Sequence, residues 1–127
     1  MERLALAPAM LLQKIGMHPR YKGYAYVYLI LTIIEEHPEY LYNMRSFVYP
    51  RLTERYQCSQ AGIERNIRFA VQRTFERGDR QMLTRLFRNN ASEWPPTNTE
   101  FIAVLAQCLL YGYTGINDGE ELRYVVK

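Results

Sequence analysis

The chain has little from which to build a metal site, a disulfide framework or a catalytic centre. It holds two cysteines, Cys58 and Cys108, and two histidines, His18 and His37. There is no CxxC pair and no His or Cys neighbour at metal-ligand spacing, so neither zinc nor a disulfide scaffold is expected. A reducing cytoplasm is the simpler setting for such a chain. Each histidine sits beside a proline, as His18-Pro19 and His37-Pro38, with no carboxylate or nucleophile at a spacing that suggests catalysis. A Gly-rich phosphate loop is also missing, so the expectation is a protein that is not an enzyme and needs no cofactor.

Long apolar runs are absent as well. The longest, Tyr24 to Ile34, is interrupted only by Thr32 and falls short of the roughly 20 residues a membrane-spanning helix needs. It reads as a buried core helix, and no membrane segment is expected. At the N-terminus Ala7-x-Ala9 resembles a signal cleavage site, but Glu2 and the early Pro8 argue against a secretory leader.

What is present is an ordinary globular composition, 127 residues with 48% hydrophobic and 23% charged, which fits one domain with one core. The net charge of +3 is unevenly spread: residues 43–90 carry ten arginines against four carboxylates, while residues 91–127 are net acidic. Every basic residue in that middle third is arginine, the side chain best suited to bidentate contact with phosphate and guanine.

Periodicity and punctuation predict an all-α bundle of about six helices. The first runs from Leu4 to Lys14 and stops at Gly16; the second runs from Arg20 to Glu36, with Tyr24, Val27, Tyr28, Leu31 and Ile34 on one face, and stops at His37-Pro38. A short helical stretch follows over Tyr40 to Phe47, and Tyr49-Pro50 opens another helix, since proline is tolerated in a first turn. Gln57-Cys58-Ser59 breaks the chain before a helix from Gln60 to Arg77, with Gly78 placed as a left-handed C′ residue. Gln81 to Arg88 is a further short helix. Thr97-Asn98-Thr99-Glu100 is a capping box opening a last helix with Phe101, Val104, Leu105, Cys108 and Leu109 at helical spacing. Residues 1–110 are thus expected to form the domain, and 111–127 a loosely held acidic tail. The tyrosines cluster at helical spacing and are expected to pack the core with their hydroxyls at its edge.

Helix, short turn and longer helix over about residues 50–78 suggest a helix-turn-helix. On a wheel stepping about 100° per residue, Ile63, Ile67, Ala70, Val71 and Thr74 share the inner arc. Ala61, Glu64, Arg65, Arg68 and Gln72 share the outer one. Arginine can pair with guanine, glutamate can accept from cytosine and glutamine can pair with adenine, and such a set near a helix N-terminus suits entry into the major groove. The same residues would also make a plain solvated face, with Glu64 and Arg68 as an i,i+4 ion pair. Lys22 at the start of the second helix, Arg51 and Arg55 on the scaffold helix, and Ser59 at the turn are candidate phosphate contacts. For Ser59 an N-cap is the competing role.

Several blocks in order carry a resemblance: Ile15-Gly16, Lys22-Gly23-Tyr24-Ala25-Tyr26, Tyr49-Pro50, Glu64-Arg65-Asn66-Ile67-Arg68 with Arg77-Gly78, Leu86-Phe87, and Pro96-Thr97-Asn98-Thr99-Glu100-Phe101-Ile102-Ala103. Over about residues 11–110 the chain resembles the C-terminal effector domain of stage zero sporulation protein A, the sporulation response regulator. The resemblance implies a DNA-binding transcriptional regulator whose stretch at Glu64, Arg65 and Arg68 reaches the bases and phosphates of a short operator of the type TGTCGAA. It also implies double-stranded DNA as the partner, dimeric or tandem binding on adjacent sites, and contact with the transcription machinery. The chain departs from the family at Gly62, usually arginine, and at Phe69, usually histidine. The family's regulators also carry a phosphorylatable receiver ahead of this domain; here Met1 falls close to the effector part, so phosphorylation control in cis is not expected. The other reading left open is a receiver-less interaction module that binds full-length sporulation regulators through the C-terminal helix.

Overall fold

Apolar side chains at helical spacing and short, sharply punctuated connections give a chain that is helical wherever it is regular. The structure, a computed structural model, describes residues 2–112, with side chains from residue 7 onward. Its elements are α1 (Glu2–Ile15), α2 (Lys22–Glu36), a 3-10 segment (Pro38–Asn43), α3 (Met44–Phe47), α4 (Tyr49–Tyr56), α5 (Gln60–Arg77), α6 (Arg80–Phe87) and α7 (Asn98–Tyr111). The all-α bundle expected from the sequence is what forms, with no strand among the described residues. The expected short helix over Tyr40 to Phe47 divides into the 3-10 segment, with Pro38 in its first turn, and the four-residue α3, N-capped by Asn43. Most of the expected tail, residues 113–127, lies outside the described residues.

The bundle is organised around α2, which packs against α1, α4, α5 and α7. Its burial is therefore broader than one stripe. Val27, Leu31 and Ile34 are buried as expected, joined by Gly23, Tyr26, Ile30 and Ile33, whereas Tyr24 and Tyr28 are only half-buried. Those two stack on each other at the rim, their ring centroids 6.5 Å apart. Tyr26 turns inward, with its hydroxyl 3.8 Å from Cys58 Sγ. A helix enclosed on several sides has little reason to obey a single amphipathic face.

Helices α2 and α5 approach each other closely. A Cβ on Gly23 would collide with the Asn66 carbonyl oxygen and lie 2.8 Å from the Ala70 Cβ, so only glycine opposite alanine lets the two backbones meet there. This contact fixes the depth at which α5 lies on the core.

Gly78 corrects an expectation. It ends α5 in extended backbone (φ −80, ψ −162), not in the left-handed conformation predicted for a C′ glycine. Space is the reason: an added Cβ would fall 2.5 Å from the Ile15 carbonyl and 2.6 Å from the Thr74 carbonyl. The end of α1 and the end of α5 cross at this point, and Asp79 N–H donates to the Ile15 carbonyl at 3.0 Å. Asp79 then caps α6 by accepting from Met82 N–H at 2.9 Å.

At the opposite flank of α5, Phe87 and Phe101 stack with centroids 5.5 Å apart and Phe75 meets Phe87 edge-on at 5.2 Å. Trp94, from the loop before α7, meets Phe75 edge-on at 4.8 Å. The capping box forms as predicted: Thr97 Oγ1 accepts from Glu100 N–H at 3.1 Å and Glu100 Oε1 accepts from Thr97 N–H at 3.2 Å. Glu100 Oε2 also accepts from Ser92 N–H at 3.0 Å. The hydrogen bonds from Ser92 and then Thr97 hold its carboxyl below the usual range. Ring packing and cap together fix the loop that carries Pro96, and that loop reappears beside α5.

Candidate nucleic-acid interface

Helix α4 begins with Pro50 in its first turn and ends at Gln57, the one non-glycine described residue with positive φ (53°). Left-handed backbone is costly for an L-residue with a side chain; here the Gln57 amide donates to the Glu54 carbonyl at 2.7 Å, and this local bond helps hold the turn. Leu52 is fully buried and Tyr56 lies edge-on to Tyr26 at 4.9 Å, so α4 is anchored from below. Three residues then separate α4 from α5, the make-up of a helix-turn-helix.

Ser59 starts α5 from extended backbone, with its Oγ accepting from Gly62 N–H at 3.0 Å. This is the N-cap weighed for it, and such a cap contributes about 1 kcal/mol. Gly62 has ordinary helical surroundings: a Cβ there would lie 3.3 Å from Ser59 Oγ and 3.7 Å from Arg65 Nη2. Only side-chain atoms border it, so this position can accept a longer residue after a small adjustment.

The inner arc of α5 is the one read from the wheel: Ile63, Ile67, Ala70, Val71 and Thr74 are all buried. The outer arc divides into three strips. Ala61, Arg65 and Gln72 are exposed along its middle, whereas Glu64 and Arg68 are half-buried toward α7 and Phe69 lies toward the start of α2. Among the described residues the side chains of Arg65 and Gln72 make no hydrogen bond or ion pair.

The expected Glu64–Arg68 ion pair does not form, because each side chain has another partner. Arg68 Nη1 donates to the Pro96 carbonyl at 2.6 Å, and the Glu64 carboxylate accepts from Gln60 Nε2 at 3.2 Å. Asn98 Nδ2 reinforces the same seam by donating to the Glu64 carbonyl at 2.9 Å. The charge of Glu64 also reaches Tyr49, whose hydroxyl is pushed up to about 12, first by burial and then by that carboxylate. A guanidinium has five donors in a fixed fork, so the bond to Pro96 orients Arg68 without exhausting it.

The candidate phosphate contacts surround this strip. Arg51 and Arg55 are exposed on α4, each over a tyrosine ring, Tyr40 at 5.5 Å and Tyr56 at 5.7 Å. Lys22 is exposed at the first residue of α2, next to Gly23 and hence next to α5. Tyr21, in the N-cap position, makes no side-chain cap. The first turn of α2 therefore presents N–H groups without a capping side chain, the positive end of a helix dipole.

Three features of this surface were not read from the sequence. The Pro96 carbonyl holds Arg68 from far along the chain. Phe69 is 47% exposed and meets Tyr21 edge-on at 5.9 Å. Arg73 places its guanidinium 4.9 Å from the Phe69 ring centroid while pairing with Glu76 at 2.9 Å. A large apolar residue on the outer side of the wheel was the available signal for Phe69.

No group of His, Cys, Asp and Glu that could hold a metal exists among the described residues, and none of their helices is long and apolar enough to cross a membrane. Comparison with known families gives a match over residues 9–109 to the one described as Sporulation initiation factor Spo0A C terminal.

Proposed function

The chain belongs to the family of the Spo0A C-terminal domain, a DNA-binding effector domain rather than an enzyme, and from that premise we propose that it is a sequence-specific transcriptional regulator whose α5 enters the major groove of double-stranded DNA. The observation that carries this reading is the exposed, unpaired Arg65 in the middle of the outer strip of α5, beside an Arg68 already oriented by the Pro96 carbonyl.

In this reading Arg65 takes guanine O6 and N7, and Arg68 reads or clamps beside it with the donors it has left. Glu64 accepts from cytosine N4, and Gln72, roughly 12 Å further along at about 1.5 Å per residue, reaches the far end of the contacted bases. Lys22, Arg51 and Arg55 contact phosphates on either side of the groove, and Ser59 acts through its cap. Regulation of sporulation genes from tandem or dimeric sites, with contact to the transcription machinery, would compensate for the modest affinity of one small module. Binding to DNA places the domain in the cytoplasm.

The test is fluorescence anisotropy on a duplex carrying TGTCGAA and on a scrambled duplex. Preference for the operator that weakens steeply with salt supports the reading. Absence of any preference, together with co-elution with a full-length sporulation regulator, would replace it with the interaction-module reading.

A further inference from the structure

The aromatic spot at the edge of α5 has a composition that the sequence-reading role of Arg65 and Arg68 does not use. Phe69 is the exposed large apolar side chain on this helix. Tyr21 holds its edge at 5.9 Å and the Arg73 guanidinium lies 4.9 Å from its centroid. Arg20 lies 5.9 Å from the Tyr21 ring, and Lys22 follows it in sequence at the start of α2. A half-exposed apolar ring is therefore flanked by Tyr21 and by the guanidinium of Arg73, itself paired with Glu76, with Arg20 beside the Tyr21 ring, between the helix proposed to read bases and the helix end proposed to hold a phosphate.

We propose that Phe69 is a specificity-determining residue that reads the C5-methyl group of a thymine. This inference rests on the major-groove reading above and adds one position to it. In the major groove the thymine methyl is the apolar feature among donors and acceptors, and phenylalanine is a side chain suited to contact it. That methyl lies at the edge of the groove close to the sugar-phosphate backbone of its own strand, so a reader of it needs apolar surface with positive charge immediately outside. The Phe69 and Tyr21 rings with Arg20 and Arg73 supply that combination. A histidine here would place a polar ring in the same position, so Phe69→His tests whether the apolar character of the ring carries the preference.

The experiment selects binding sites from a pool of randomised duplexes with wild type, Phe69→Ala and Phe69→His. The selected wild-type duplex is then measured with each thymine replaced in turn by deoxyuridine, which lacks only the methyl. Wild type should enrich thymine at one position and lose about fourfold in affinity when that thymine becomes deoxyuridine, the value of one buried methyl group. Phe69→Ala should lose both the enrichment and the deoxyuridine penalty at that position while keeping its preferences elsewhere. Because Phe69 is half exposed, an unchanged thermal melt of the variant confirms that folding is not the cause. Identical thymine preferences in wild type and Phe69→Ala would overturn the inference alone, leaving the spot to an acidic, apolar peptide. A wild type that selects no sequence would overturn the DNA-reading proposal and this inference with it.

Discussion

The two faces of α5 are held in different ways. The inner face meets α2 through a glycine and an alanine, and Ile63, Ile67 and Val71 are fully buried against the core. The outer face is held at its margins: on one side Pro96 and Asn98 hold Arg68 and the Glu64 carbonyl, on the other Tyr21 and Arg73 hold Phe69. Its middle, Arg65 and Gln72, is open. Close packing in which one methylene matters determines where the helix lies, and the open strip can then vary with small effect on the fold. The packing face and the surface proposed for recognition thus lie on opposite sides of one helix of 18 residues.

The largest effect is expected from Ile67→Ala. It should cost about 2–5 kcal/mol of stability in urea denaturation, with DNA affinity per folded molecule unchanged. Arg65→Ala should do the opposite, costing about 1–3 kcal/mol on the preferred duplex while moving stability by less than about 0.5 kcal/mol. Arg68→Ala sharpens the division, because it should lose a similar amount of binding and also about 1 kcal/mol of stability from the lost bond to Pro96. Denaturation and anisotropy on the same samples check all three.

Ser59→Ala should lower stability by about 1 kcal/mol through the lost cap, read from the urea midpoint. If the residue acts only as a cap, the dependence of affinity on salt stays the same. Gly62→Arg places a cation beside Arg65 where only side chains border the added atoms. It should tighten DNA binding modestly and steepen the slope of log affinity against log salt by about 0.9, the signature of one added phosphate contact.

The smallest effect concerns pH. Glu100 has its carboxyl lowered by hydrogen bonds from Ser92 and Thr97, so its contribution is present above the unfolded value near 4.5 and is lost as pH falls through the lower folded value. Glu35 is shifted upward, first by burial and then by the neighbouring Glu36, and works in the opposite direction over acidic pH. The difference between wild type and Glu100→Gln should therefore shrink as pH drops below 4.5, while Glu35→Gln should not reproduce that trend. Melts at several acidic pH values measure both.

The inner face was legible because Ile63, Ile67, Ala70, Val71 and Thr74 repeat at helical spacing, and the cap and turn because Ser59, Pro50 and the Thr97 box are local signals. The outer margins were not, since the partner of Arg68 is the carbonyl of Pro96 and that of Phe69 is Tyr21, both brought near only by folding. Local spacing offered Glu64 and Arg68 as a pair, and a tertiary contact took precedence. Gly78 was recognised as a helix end, but the reason for glycine there is the crossing of α1, which no local pattern encodes. Tyr24 and Tyr28 were placed on the core face because a single stripe was assumed for a helix that has neighbours on several sides.

The most direct test of the account compares wild type and Arg65→Ala by anisotropy on the TGTCGAA duplex and on a scrambled one, each at two salt concentrations. Wild type should prefer the operator at both salts, Arg65→Ala should lose most of that preference, and both proteins should bind the scrambled duplex comparably. Equal losses on the two duplexes would reduce Arg65 to a phosphate contact, and a wild type without preference would contradict the account.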